Sequence, residues 1–221
     1  MKLRVFNIIK NTKVEGPGNR YCIWVQGCSR HCKGCQAVHT WAHDKGELYE
    51  VEKIIEDIFK VAYNRHSEAE ANGILRYAQN DIPAKESRIE GVTFLGGEPF
   101  EQAEALGIIA KAVKEKGLSV LCFTGGKLEE LQKEPANKML LENTDLLIDG
   151  EFIEELTDYS RPWCGSSNQR YHFLTDRYNE EIFTKYKNKV EVNISENGQI
   201  FMNGMGNFDE ILQKIDLMGI K

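Results

Sequence analysis

No apolar run in this 221-residue chain approaches the length of a membrane span. The opening stretch, MKLRVFNIIKNTKVEGPGNR, lacks the unbroken apolar core of a secretory signal, so the expected location is the cytoplasm. An excess of basic residues is also missing. Twenty-eight Lys and Arg stand against 34 Asp and Glu, giving a formal charge of −6 and an isoelectric point near 5.5. That balance argues against a broad nucleic-acid footprint, and the lack of apolar runs against a membrane partner. Internal repeats and low-complexity tracts are absent too. What remains is ordinary globular material, 41% hydrophobic and 28% charged. Residues 1–221 are accordingly read as one domain.

Short apolar runs alternate with amphipathic helices. YCIWVQ (21–26) is rich in strand formers, and VEKIIEDIFKVA (51–62) sets Val51, Ile54, Ile55, Ile58, Phe59 and Ala62 on one helical face. GVTFLGG (91–97) reads as a buried strand followed by a helix over about 100–116. LSVLCFTGG (118–126) and TDLLIDGEF (144–152) repeat the strand-then-glycine arrangement. Strands and helices alternating in this way predict an α/β fold with a parallel sheet. Residues 64–88, polar and interrupted by Pro83, are expected to be an insertion. KVEVNISENGQIFMNG (189–204) reads as a hairpin turning at Asn197 and Gly198, with a closing helix over about 207–218, so that 189–221 form a C-terminal appendage.

The polar and glycine residues fall at telling places. Cys28, Gly96 with Gly97, Thr124 with Gly125, and Asp149 with Gly150 each follow the end of an expected strand. In parallel α/β sheets those ends share one face, where ligands bind. Four distant stretches should therefore meet around one site.

GCSRHCKGCQ (27–36) holds three of the six cysteines, spaced as Cys28-x3-Cys32-x2-Cys35. A disulfide framework would leave an odd cysteine and would suit an oxidising compartment. Structural zinc would need a fourth ligand, for which His31 and His39 are the candidates. A 4Fe–4S cluster on three thiolates would leave one iron open to a ligand from outside the protein. Cys22 and Cys122 sit inside apolar strands and read as small buried hydrophobes. Cys164, in RPWCGSS, is placed on a loop facing the site, and reads as a silent thiol sooner than as a radical relay or substrate contact. His31, His39 and His43 are candidates for hydrogen bonds to cluster sulfurs.

This cysteine spacing, at the end of an early strand, resembles the signature of the radical SAM superfamily, and GGEP at Gly96 to Pro99 resembles that superfamily's second motif. More narrowly, VEGPGNRYCIWVQGC, DLLIDGEF, GSSNQR and Gly34 before the third cysteine resemble the glycyl-radical-enzyme activases that serve anaerobic ribonucleotide reductase. The resemblance implies an incomplete, open (β/α) barrel with the cluster at its C-terminal mouth. It implies that Cys28, Cys32 and Cys35 hold a 4Fe–4S cluster whose open iron takes S-adenosylmethionine. Gly96, Gly97 and Glu98 would contact the methionyl amine, Thr124 the ribose or carboxylate, and Asp149 a polar group nearby. No side chain acts as an acid or base. The implied partners are a glycyl radical enzyme, as substrate, and a flavodoxin- or ferredoxin-like electron donor. Modification of another peptide or small molecule stays open as a substrate, as does a non-catalytic cluster or zinc scaffold. Two departures stand out: Gln36 replaces the aromatic often found after the third cysteine, and Glu151 stands where some activases carry lysine.

Overall fold

The structure, a computed structural model, describes residues 1–63, 89–194 and 200–217. The 64–88 segment and the Asn197–Gly198 turn lie outside the described residues. Seven strands form the main sheet: β1 (Lys2–Thr12), β2 (Arg20–Val25), β3 (Glu47–Glu50), β4 (Gly91–Gly96), β5 (Ser119–Phe123), β6 (Leu146–Asp149) and β7 (Arg170–Phe173), in the order β3-β1-β2-β4-β5-β6-β7. The four central strands, β2-β4-β5-β6, are parallel. Nearly every residue of these four is buried, as expected of strands covered on both faces.

The flanks correct the expectation of a purely parallel sheet. β1 runs antiparallel to both β2 and β3, and β7 runs antiparallel to β6. Among the described residues no pairing joins β3 to β7, so the fold is a mixed α/β sheet that does not close on itself.

Helix α1 (Val51–Tyr63) buries Val51, Ile54, Ile58 and Ala62, with Ile55 and Phe59 packed beside them, which is the face its periodicity predicts. The expected 100–116 helix is a 3-10 turn over Pro99–Gln102 that continues as α2 (Ala103–Glu115). Its Leu106, Ile109, Ala110 and Val113 meet the sheet's main core. Short helices α3 (Leu128–Leu131), α4 (Lys138–Glu142) and α5 (Ile182–Lys185) complete the connections. A second core gathers Leu121, Leu146, Ile148, Trp163, Cys164 and Ile182.

Beyond the main sheet, β8 (Val190–Ile194) and β9 (Ile200–Gly204) form a separate antiparallel pair, followed by α6 (Phe208–Leu217).

Candidate active site

The chain leaves β2 at Val25 and turns at once into the cysteine loop. Gly27 N donates to Thr40 O (2.7 Å) and Cys28 N to Trp41 O (3.1 Å), so the loop is stitched to the 3-10 turn over Val38–Thr40 that follows it. The end of β4 wraps over the same place: Gly97 N reaches Val25 O (2.9 Å) and Glu98 N reaches Gly27 O (2.8 Å). This crossing explains the paired glycines. Gly96 has φ +102°, a conformation L side chains rarely adopt, and a Cβ on Gly97 would lie 2.2 Å from Gly27 O.

Glu98 is 3% exposed and its carboxylate is fully engaged by the chain itself. Oε1 accepts from Thr124 Oγ1 (2.7 Å) and Phe100 N (3.1 Å), while Oε2 accepts from Gly125 N (3.0 Å) and Arg30 Nε (2.9 Å). One carboxylate thus joins the ends of β4 and β5 to the cysteine loop. Four charge-assisted bonds use the acceptor capacity that two oxygens offer.

Asp149, fully buried at the end of β6, is used in a similar way. It accepts from Leu128 N (2.8 Å) and from Arg170 Nε (2.9 Å), and His172 Nε2 lies 3.0 Å away. Burial alone would raise its carboxyl. Arg170, the Leu128 N–H and His172 together hold it below the usual value. Its neighbour Gly150, and not Asp149 itself, lines the cavity described next.

A cavity of about 550 Å³ lies over these strand ends. Cys28, Cys32 and Cys35 line it together with Gly96, Gly97, Glu98, Thr124, Gly125 and Gly150, so the four distant stretches do converge. All six cysteines carry free thiols, which sets the disulfide reading aside. Burial raises the Cys28 thiol and pushes Cys32 up to about 11, with Glu151 and the other two cysteines of the loop adding to the effect on Cys32. Among the described residues no three His, Cys, Asp or Glu are gathered as one metal ion requires. His31 is stacked on Trp41 (4.6 Å between ring centres) and His43 is bonded to Glu101. Three thiols lining one cavity fit the donor set of a four-iron cluster with one open corner.

Cys164 is a buried thiol, as the sequence favours, but it does not face the site. It is fully buried beside Trp163 in the second core, where Tyr171 packs, and does not line the cavity. An unpaired thiol on a mostly apolar loop packs as a small hydrophobe. Of the GSSNQR stretch, Gly165 and Gln169 line the cavity, while Asn168 is spent on Glu151 O (2.8 Å) and Arg170 on Asp149 and Glu129.

Sequence reasoning missed Arg30, Glu101 and Gln102. Glu101 Oε1 accepts from Ser29 N and its Oε2 meets His43 Nε2, both at 2.8 Å. Gln102 takes Arg4 N (2.7 Å) and donates to Gln26 O (3.1 Å). For Glu101 and Gln102 the signal was available in GGEPFEQ: two more polar side chains close behind the glycine turn. Also missed was Glu15, a cavity-lining carboxyl that burial pushes up to about 7.

The 4Fe-4S single cluster domain family model matches residues 14–172. The chain is also similar to the anaerobic ribonucleoside-triphosphate reductase-activating protein of Haemophilus influenzae, 31% identical over 72% of this chain and 90% of that one. The proteins of the same name from Vibrio cholerae and Escherichia coli K12 are 30% and 28% identical, each over 73% of this chain and 92% of the relative. A solved structure, QueE from Escherichia coli, aligns over 57% of this chain with 17% identity and a TM-score of 0.39, too slight a likeness to bear on the fold.

Proposed function

The chain belongs to the anaerobic ribonucleoside-triphosphate reductase-activating proteins and to the 4Fe-4S single cluster domain family, and from that premise we propose that it is a radical SAM activase whose substrate is a glycine of a partner reductase. The observation that carries this is the convergence of three free thiols and three strand-end turns on one cavity. Cys28, Cys32 and Cys35 would hold a 4Fe–4S cluster, leaving an iron open for S-adenosylmethionine. When bound, this pair would supply one-electron cleavage of the sulfonium and, through it, radical hydrogen abstraction from the substrate.

The chain's own residues bind, orient and exclude water. The turn at Gly96 and Gly97 brings bare backbone to the cavity wall, as close approach of a ligand needs. Glu98 fixes Thr124, Gly125 and Arg30 relative to the cysteine loop, and Asp149 fixes the turn that carries Gly150. Asp149 holds the wall from behind; Gly96, Gly97, Glu98, Thr124 and Gly150 form it. In this reading the unclosed sheet is an incomplete barrel, and its open side admits a segment of the partner. The electron donor would be flavodoxin- or ferredoxin-like. The net charge of −6 speaks against nucleic acid as a partner. Among the described residues no helix is long and apolar enough to cross a membrane, which suits work in the cytoplasm.

The test is anaerobic reconstitution, with iron and sulfide counted and EPR recorded with and without S-adenosylmethionine. About four irons per chain and a spectrum that shifts with the cofactor are expected, and Cys28→Ala, Cys32→Ala or Cys35→Ala should each abolish the signal. Coexpression with the anaerobic reductase should then give a glycyl radical. Bound zinc, or a spectrum indifferent to the cofactor, would defeat the reading.

A further inference from the structure

The family match ends at residue 172, yet a wall of the cluster cavity comes from beyond it. Phe201 and Met202 of β9, Met205 in the following turn and Phe208 at the start of α6 line the same cavity as the three cysteines. They are held there by a buried polar seam with the N-terminal part of the chain. Thr12 Oγ1 donates to Glu191 Oε2 (2.6 Å), Asn203 Nδ2 donates to Thr12 Oγ1 (3.0 Å), and Gly204 N donates to Glu15 Oε1 (2.5 Å). Thr12, Glu15 and Asn203 are each at most 3% exposed, so this seam is packed and not a casual surface contact. Phe201 stands edge-on to Trp24 (6.3 Å, 88°). On the other side, Gln36, immediately after the third cysteine, donates to Gly206 O (2.9 Å). The position that departs from the activases is thus the one that grips the appendage.

The cavity is divided by chemistry. Its strand-end side is polar, lined by the Glu98 carboxylate with the Thr124 hydroxyl, Arg30 guanidinium and Gly125 amide bonded to it. A sulfonium amino acid with a ribose needs polar groups of this kind. The hairpin side is mostly apolar, with Ile200 and the half-buried Phe201, Met202, Met205 and Phe208 beside Asn203 and Gly204. Methionines adapt to irregular apolar shapes and serve surfaces that pack peptide. The matched region therefore supplies the common chemistry, and the unmatched region supplies a surface free to differ between chains.

Resting on the activase reading, we propose that the C-terminal hairpin is the specificity wall of this site, with Phe201, Met205 and Phe208 packing against the partner segment that carries the target glycine. The full-length, cluster-loaded chain should be assayed against the anaerobic reductase from the same cells as Phe201→Ala, Met205→Ala and Met205→Leu. For the two alanine variants the reductase concentration giving half-maximal glycyl radical should rise about ten-fold or more, the loss expected on truncating a well-packed contact. Met205→Leu should recover most of it. Iron per chain and the EPR change on adding S-adenosylmethionine should match the parent. Unchanged dependence on the reductase would overturn the proposal. So would loss of iron or of the cofactor-induced EPR change, because the wall would then serve the cofactor or the fold. A parent chain with full iron and the EPR change, but no glycyl radical on the reductase, would instead overturn the activase reading and the wall's substrate with it.

Discussion

Glu98 and Glu101 lie three residues apart in one turn, and both reach back to the cysteine loop. Glu98 holds Arg30, and Glu101 holds the Ser29 amide directly after Cys28, together with His43. A backbone amide bonded to a charged acceptor is a stronger tie than a neutral pair, and its loss typically costs about 1.5–3 kcal/mol. Glu101 is partly exposed, so the lower end of that range applies. Glu101→Ala should therefore free the first ligand's backbone without disturbing the sheet. The expected result is faster loss of iron to a chelator, about three-fold or more, with little change in the melting of the cluster-free chain. Glu101→Gln keeps an acceptor for Ser29 and should behave nearly as the parent. Equal iron retention in all three proteins would mean that the loop is held by its stitch to Thr40 and Trp41 alone.

Among the elements, the four central strands were legible because each is a continuous apolar run closed by glycine or a polar turn, a pattern that burial on both faces enforces. The flanking strands were not. β3 is ELYE and β7 is RYHF, four residues each and no more than half-buried, so no apolar period marks them. β7 is nonetheless the element that brings Arg170 to Asp149. The Arg170 guanidinium spans Asp149 and both oxygens of Glu129, joining β6, β7 and α3 at the cavity's far edge. Removing it would strand a carboxylate that is fully buried, a loss of about 3 kcal/mol. Arg170→Ala should lower urea stability by about that amount. Arg170→Lys keeps the charge but cannot fork between two carboxylates, so it should recover less than half. Full recovery by lysine would show that charge, and not the forked geometry, holds this edge.

At the scale of the whole molecule, the docking of the hairpin was the least legible feature. It joins Thr12 and Glu15 to Glu191, Asn203 and Gly204 across nearly the whole chain, and no local pattern announces a contact between such distant residues. By contrast, the cysteine spacing and the glycine turns are local, which is why the site's chemistry could be read and its outer wall could not. The seam should also give the hairpin a pH dependence. Burial pushes the Glu15 carboxyl up to about 7, opposed by the Gly204 N–H and Asn203 and reinforced by Glu191. From the ordinary value of 4.5 up to about 7, the native chain therefore holds a proton that the unfolded chain has released. Stability contributed by this group must then decline as pH rises through that window and level off above it. Amide exchange in β8 and β9, corrected for the intrinsic rate, should show protection falling from pH 5.5 to 8. Glu15→Gln is neutral throughout and should hold protection constant over the same range. If the parent and Glu15→Gln show the same pH dependence, the hairpin is not anchored through Glu15. If only the parent responds, one buried carboxyl links proton concentration to the wall that faces the cluster.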